Sequence, residues 1–177
     1  MAYVTPTTHV AGETLPAADW NVVVNDVIFL GAPPTVRVQR TSNQTGVLHN
    51  GATTITWQTD SATGCFDTDS MWTSAAPTLL TFTTAGVYLV TLNVYIGWAT
   101  IPNNIEVNIT DGTTKQAVVQ IPGVATFENQ YSLSALVNSA ASPNVRAGIS
   151  IGSSSGSGAY VRYDVGTNFS ATWVSKV

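Results

Sequence analysis

The chain has 177 residues, only 9% of them Asp, Glu, Lys or Arg, and a formal net charge of −4. That length suits one domain with a real core, and the charge content is far below the roughly 25% of an average soluble protein. The six basic residues, Arg37, Arg40, Lys115, Arg146, Arg162 and Lys176, are scattered, so nucleic acid is excluded as an expected partner. Cys65 is the single cysteine, which rules out an intrachain disulfide and a cysteine metal cage; its apolar flank suggests a small core residue. The N-terminus shows no basic and apolar signal-peptide regions, and no run approaches the roughly 20 apolar residues of a membrane span. The expectation is a protein made in a cytoplasm and not inserted in a membrane. The Asn43, Asn108 and Asn168 glycosylation patterns are then chance matches.

Residues 1–15 read as a polar, extended arm broken by Pro6 and Gly12. A helix is expected over Pro16–Leu30, with Thr14 able to cap and Glu13 and Asp19 favouring its positive end. Trp20, Val23, Val24, Val27 and Leu30 recur at three- and four-residue steps and form one apolar face. Gly31-Ala32-Pro33-Pro34 stops the helix and makes a stiff link. An isolated helix this short, rich in valine, is marginal in water. It must dock, either on its own β-domain or on copies of itself or a larger assembly; the Pro-Pro break favours the second. The division expected is 1–34, arm, anchoring helix and linker, and 35–177, a β-domain.

From Thr35 onward the period becomes two. Val36 and Val38 alternate with Arg37 and Gln39, and Ile55 and Trp57 with Thr54, Thr56 and Gln58. The organising strand runs to Trp98. One face carries Tyr88, Val90, Leu92, Val94, Ile96 and Trp98; the other carries Val87, Leu89, Thr91, Asn93 and Tyr95 and turns polar midway. Ile105, Val107 and Ile109 follow, then Asp111-Gly112 as a two-residue hairpin signal, then Ala117, Val119 and Ile121. Further inward sets are Tyr131 to Val137, Val145 to Ile151, Ala159 to Val165, and Phe169, Ala171 and Trp173. Turns separate them at Pro122-Gly123, Ser142-Pro143-Asn144 and Gly166-Thr167-Asn168. Evenly spaced strands with turn chemistry predict an all-β sandwich or jelly roll preceded by a short helix. Gly152–Gly158, GSSSGSG, reads as a flexible tip loop, because no Lys or helix follows it as in a phosphate cradle.

Chemistry is sparse. His9 and His49 are the only histidines and lack the context of a catalytic triad, so no enzyme and no cofactor are expected. Asp67-Thr68-Asp69, with Asp60 upstream, offers oxygens that calcium likes. The Gly and distal Glu of an EF-hand loop are missing, and a turn in which each Asp bonds local N–H groups is the preferred reading. Glu106 and Glu128 form no local carboxylate pair. Trp72, Tyr95 and Tyr160 point away from the apolar sets and are candidates for an interface or ligand contact.

Several short stretches resemble a known family. Phe66-Asp67-Thr68-Asp69, Met71, Leu80-Thr81 and Ala85-Gly86-Val87-Tyr88-Leu89-Val90 are similar to the jelly roll of the complement globular head and the tumour necrosis factor fold, above all its bacteriophage versions. Ala11-Gly12-Glu13 with Ala17-Ala18-Asp19-Trp20-Asn21 resembles the opening of phage virion proteins in which a short helix precedes an appendage domain. The resemblance implies a ten-strand jelly roll, assembly as a homotrimer, and an N-terminal segment that serves as an anchor to other proteins of the capsid or tail or as a trimer stem. In that setting Val87, Leu89 and Tyr95 would face a neighbouring subunit. The alternative is a host receptor- or glycan-binding module using loops such as Asp67–Trp72 or Gly152–Gly158.

Overall fold

A computed structural model of the chain describes residues 11–14, 16–48, 50–122, 128–152, 158–164 and 166–176. Helix α1, Ala17–Gly31, begins after Pro16, whose φ of −60° and ψ of 147° make it the N-cap. The Pro16 carbonyl accepts the amides of Asp19 and Trp20, each at 3.1 Å. No side chain caps this end, so Thr14 does not take the role its position suggested, and Asp19 alone complements the dipole in the first turn. At the other end Ala32 N–H donates to Ile28 and Phe29 carbonyls at 3.1 and 3.3 Å. Pro33, with no N–H to give, prevents another turn.

Eleven strands follow in the described residues. They are β1 (Thr35–Gln39), β2 (Ala52–Thr54), β3 (Phe66–Asp67), β4 (Leu80–Thr81), β5 (Val87–Gly97), β6 (Asn104–Thr110), β7 (Lys115–Pro122), β8 (Glu128–Asn138), β9 (Asn144–Gly152), β10 (Tyr160–Val161) and β11 (Asn168–Ser175). They form two antiparallel sheets. The first runs β8–β5–β11–β1–β3, with β10 beside the last residues of β5. The second runs β2–β9–β6–β7, with β4 beside the start of β9. Two packed sheets of this layout are a jelly-roll sandwich.

Strand β5 is the centre of the first sheet. It pairs with β8 over its whole length and with β11 from Val87 to Asn93. Tyr88, Val90, Leu92, Val94 and Ile96 are fully buried, the face the alternation predicted. Across the core stand Ile105, Val107 and Ile109 of β6 and Val145, Ala147, Ile149 and Ile151 of β9, all buried. Each large apolar side chain so enclosed contributes roughly 1.5–3 kcal/mol. Trp57 stacks on Phe169 with ring centroids 5.6 Å apart, and Phe82 on Tyr88 at 4.2 Å.

Four local expectations change. Ile55 and Trp57 are buried as their alternation implied, yet β2 ends at Thr54. The Ile55 amide still follows the register onto Ala147 O of β9 at 2.9 Å, and the Trp57 amide leaves the ladder for Pro77 O at 2.8 Å. Asp111-Gly112 makes a four-residue loop: the Asp111 carboxylate accepts the Thr113 and Thr114 amides at 2.8 and 2.7 Å. These bonds widen the turn between β6 and β7. The run Ala159 to Val165 shortens to β10, and Tyr163 is exposed where its amide bonds Asn43 Oδ1 at 2.8 Å. Cys65 is half-buried rather than in the core, just after a turn closed by its own N–H on Ala62.

Candidate assembly surfaces

Helix α1 touches the body through the side that the sequence pattern did not single out. Phe29 is 3% exposed and meets Trp173 of β11 edge-on, with centroids 4.8 Å apart and an interplanar angle of 85°. Asp26 is buried beside it in the helix. Trp173 is held in turn: its Nε1 donates to Ala85 O at 3.1 Å and its amide to Pro34 O at 2.9 Å. A cleft of about 100 Å³ remains under the last turn, lined by Ile28, Phe29, Ala32, Pro34, Thr68 and Asp69.

The opposite side of α1 is bare. At about 100° per residue, Trp20, Val24, Val27 and Ile28 share one arc facing away from Phe29. Trp20 is 58% exposed and Val27 64%; Val24, Ile28 and Leu30 are also exposed, and Val23 is half-buried. Helix α1 thus presents apolar residues both to the body and to solvent.

The outer face of the first sheet is graded from one end to the other. Register places Leu136, Leu89, Thr172 and Thr35 in one row nearest the helix. Leu136 is 68% exposed and Leu89 41%, with Val87 half-buried and Val174 exposed nearby in sequence order on β11. The next rows are hydroxyls and amides. Thr91 and Ser134 hydroxyls lie 3.3 Å apart, Ser132 Oγ donates to Asn93 Oδ1 at 2.6 Å, and Asn93 Nδ2 donates to Asn168 Oδ1 at 3.3 Å. Their polar groups are satisfied among themselves, which lowers the cost of covering them.

Charge appears only beyond these rows on β5 and β8. Glu128, Gly97 and Tyr160 share a row at the far end of β5. Tyr160 lies flat on Gly97, where an added Cβ would come within 2.4 Å of its ring. Its hydroxyl donates to Glu128 Oε1 at 2.8 Å, and Arg162 pairs with Glu128 Oε2. The Tyr160 hydroxyl bond, with Arg162, holds the Glu128 carboxyl below its ordinary range, and the same bond pushes the Tyr160 phenol up. Tyr95 is half-buried, its ring against Gly166 and its amide bonded to Thr167 Oγ1 at 3.2 Å.

Trp72, a candidate contact by its sequence position, is 8% exposed, with Nε1 turned to Pro77 O at 3.4 Å. The cause is Asp67. Its Oδ1 accepts the Asp69 and Met71 amides at 3.2 and 2.9 Å, and its Oδ2 the Trp72 amide at 2.8 Å. With Ser70 at a φ of 54°, this carboxylate wraps the chain around itself and turns Trp72 inward. Asp69 Oδ2 accepts the hydroxyls of Thr84, at 3.0 Å, and Thr83. Among the described residues no group of three His, Cys, Asp or Glu side chains is gathered for a metal. His9, His49 and most of the Gly152–Gly158 loop lie outside the described residues.

Two other basic side chains are occupied within the fold. Arg40 is buried, its Nε on Ser42 O and its Nη1 on Gln44 Oε1, both at 3.0 Å. Lys115 pairs with Glu106 at 2.6 Å. Asn108 and Asn168, two of the three glycosylation-pattern asparagines, are buried.

Phe29, Ile28 and Leu136 are the surface residues that the sequence reading passed over. For Leu136 the signal was present: it is the lone apolar residue among Ser132, Ser134 and Asn138 on one face of β8. Phe29 gave none, since it lies opposite the stripe that periodicity picks out.

No family model and no curated protein matches the sequence. Solved structures do match. The globular domain of a zebrafish complement 1qA protein is 10% identical with a TM-score of 0.52, covering 81% of this chain and 99% of that one. Murine APRIL is 9% identical with a TM-score of 0.56, covering 80% and 98%. The Eiger TNF from S. frugiperda is 10% identical with a TM-score of 0.53, covering 81% and 95%. The chain therefore has the jelly-roll fold shared by complement globular heads and tumour necrosis factor-like proteins.

Proposed function

We propose that the protein is a homotrimeric structural component of a bacteriophage virion, displayed on the capsid or the tail. Residues 35–177 form the outward body, and the segment 1–34 holds it to other virion proteins. The observation that carries self-association is the outer face of the first sheet, with Leu89 and Leu136 exposed beside a ladder of hydroxyls already bonded to one another. Such a face loses little by leaving water and gains from burying its leucines. The complement-head and tumour necrosis factor-like fold supports a trimeric structural or adhesion module. The phage context rests on the resemblance of Ala11-Gly12-Glu13 and Ala17–Asn21 to virion openings. Deletion of residues 1–30 tests the reading: the body should stay folded yet fail to enter particles, and normal incorporation would contradict it.

A second reading gives the body a host-binding role, as a receptor- or glycan-binding module. Its specific support is polarity. Strand β5 spans about 33 Å from the helix end to the row of Glu128 and Tyr160, so a moored α1 turns that row and the Gly152 end of β9 away from the particle. Asp67–Trp72 lies at the moored end and is the weaker contact candidate. A glycan array with the isolated trimer is the test, and absence of any binding would sink it.

A further inference from the structure

We infer that Asn50 is a site of spontaneous covalent modification: the Gly51 amide nitrogen closes on the Asn50 carboxamide, and an aspartyl or isoaspartyl residue replaces the asparagine. The site belongs to the single chain and is independent of the assembly proposed above.

The reaction balances with water as the one co-reactant. The Gly51 nitrogen gives up its proton and bonds to Asn50 Cγ. The bond from Cγ to the side-chain nitrogen breaks, and ammonia leaves a five-membered imide. Water then opens either carbonyl of that ring. One opening restores the original main chain with an aspartate side chain; the other routes the main chain through Cβ and Cγ and lengthens it by one carbon. Closure within one dipeptide has the advantage of proximity, and base promotes it because the attacking amide must lose its proton.

Sequence and structure select this asparagine together. Asn50 is the only asparagine followed by glycine, and a following residue with no Cβ leaves the attacking nitrogen uncrowded. The asparagines of α1, β5, β6, β8, β9 and β11 lie in regular elements, whose hydrogen-bonded backbone resists the rotation that ring closure requires. Outside them, Asn43 Oδ1 holds the Tyr163 amide at 2.8 Å, and Asn103 is followed by the Asn104 side chain, with its own amide on Gly152 O at 2.7 Å. Asn50 is exposed in a turn, at a φ of 52° in the left-handed region that asparagine tolerates. Its amide donates to Ile151 O at 2.7 Å, which ties the turn to β9 on one side. Gly51 on the other side can absorb the rotation before β2 begins at Ala52.

Asp111-Gly112 has the same following glycine and is shielded. Its carboxylate accepts the Thr113 and Thr114 amides at 2.8 and 2.7 Å. These bonds hold it ionised far below its ordinary range, and an ionised carboxylate offers no leaving group for ring closure. At Asn50 the product makes the formal charge of −4 more negative by one. The isoaspartyl form also inserts a carbon between the Ile151 anchor and β2, which pulls Ala52–Thr54 out of register with Ser150, Ile149 and Gly148.

The test is ageing of the folded 177-residue chain in mildly alkaline and mildly acidic buffer, followed by intact mass and peptide mapping. The expected result is a gain of about 1 Da, as NH gives way to O, mapped to Asn50 and faster in alkali. Both products should appear, the isoaspartyl form accepting a methyl group from an isoaspartyl methyltransferase. Amides of β2 should lose hydrogen-exchange protection in that form. Gly51→Ala should slow the change roughly tenfold by crowding the attacking nitrogen. An Asn50 that stays intact in the folded chain but reacts in denaturant would show that the fold protects the turn and would overturn the site. An unchanged rate in Gly51→Ala would overturn the ring closure.

Discussion

Phe29 meets Trp173 edge to face at 4.8 Å, and this contact docks the last turn of the leading helix on the jelly roll. Trp173 is itself clamped by Ala85 O and by the bare backbone of Gly86. Phe29→Ala removes roughly 1.5–3 kcal/mol of docking free energy without touching either sheet. The expected outcome is a body that melts close to the wild-type temperature, with rapid proteolytic cleavage within 17–32. A wild-type cleavage rate would show that the helix is held by something else.

Gly86→Ala tests the other side of the same clamp. A Cβ there would lie 2.0 Å from Trp173 Nε1 and 2.6 Å from Ser175 O, the second a backbone atom that cannot swing away. Overpacking of this kind costs about 1–3 kcal/mol, and more where a backbone atom stands in the way. Denaturant titration should show that loss, or the variant should fail to fold; a neutral substitution would refute the geometry at the start of β5.

For the outer face, Leu136→Asp and Leu89→Asp separate folding from association. Both side chains are exposed in the single chain, so each change alters the folded stability of one chain by about 0.5 kcal/mol or less. A charge buried between subunits is far more costly. The sedimentation mass is expected to fall to that of a monomer while the β-sheet spectrum stays unchanged. A trimer that tolerates both would place the interface elsewhere.

Acid sensitivity follows from two carboxylates. Asp111 is held far below its ordinary value by the Thr114 and Thr113 amides, then by the Thr113 and Ser142 hydroxyls. Glu128 is lowered by the Tyr160 hydroxyl and Arg162. A depressed folded pKa stabilises fully above the unfolded value and loses that contribution as pH falls through the folded one. Stability should thus be level above about pH 5 and decline below it. Asp111→Asn and Glu128→Gln should each flatten that acid limb in melting curves taken across pH. An acid limb of unchanged slope would remove these groups from the account.

Much of this was legible in the sequence, for identifiable reasons. Strand β5 announced both its faces because period two over eleven residues has no competing reading. The helix was marked by Pro16 and Pro33-Pro34, yet the side it docks with was hidden, because apolar residues lie on both of its sides and the docking side, with Val22 and Phe29, carries fewer of them than the other. Trp72 misled because alternation assumes an extended chain, whereas Asp67 gathers three amides and bends it. Asp111-Gly112 misled for the same cause: a side-chain carboxylate captured two amides and lengthened a turn that dipeptide preference alone makes shorter. Local side-chain bonds to backbone are short-range chemistry, but their partners are chosen by the fold.

Sedimentation equilibrium of the 177-residue chain separates a trimer from a single copy. The expected mass is three times the 18.6 kDa of one chain, stable on dilution through the micromolar range. A single-chain mass at every concentration, with the Trp20 to Leu30 face still open to solvent, would contradict it.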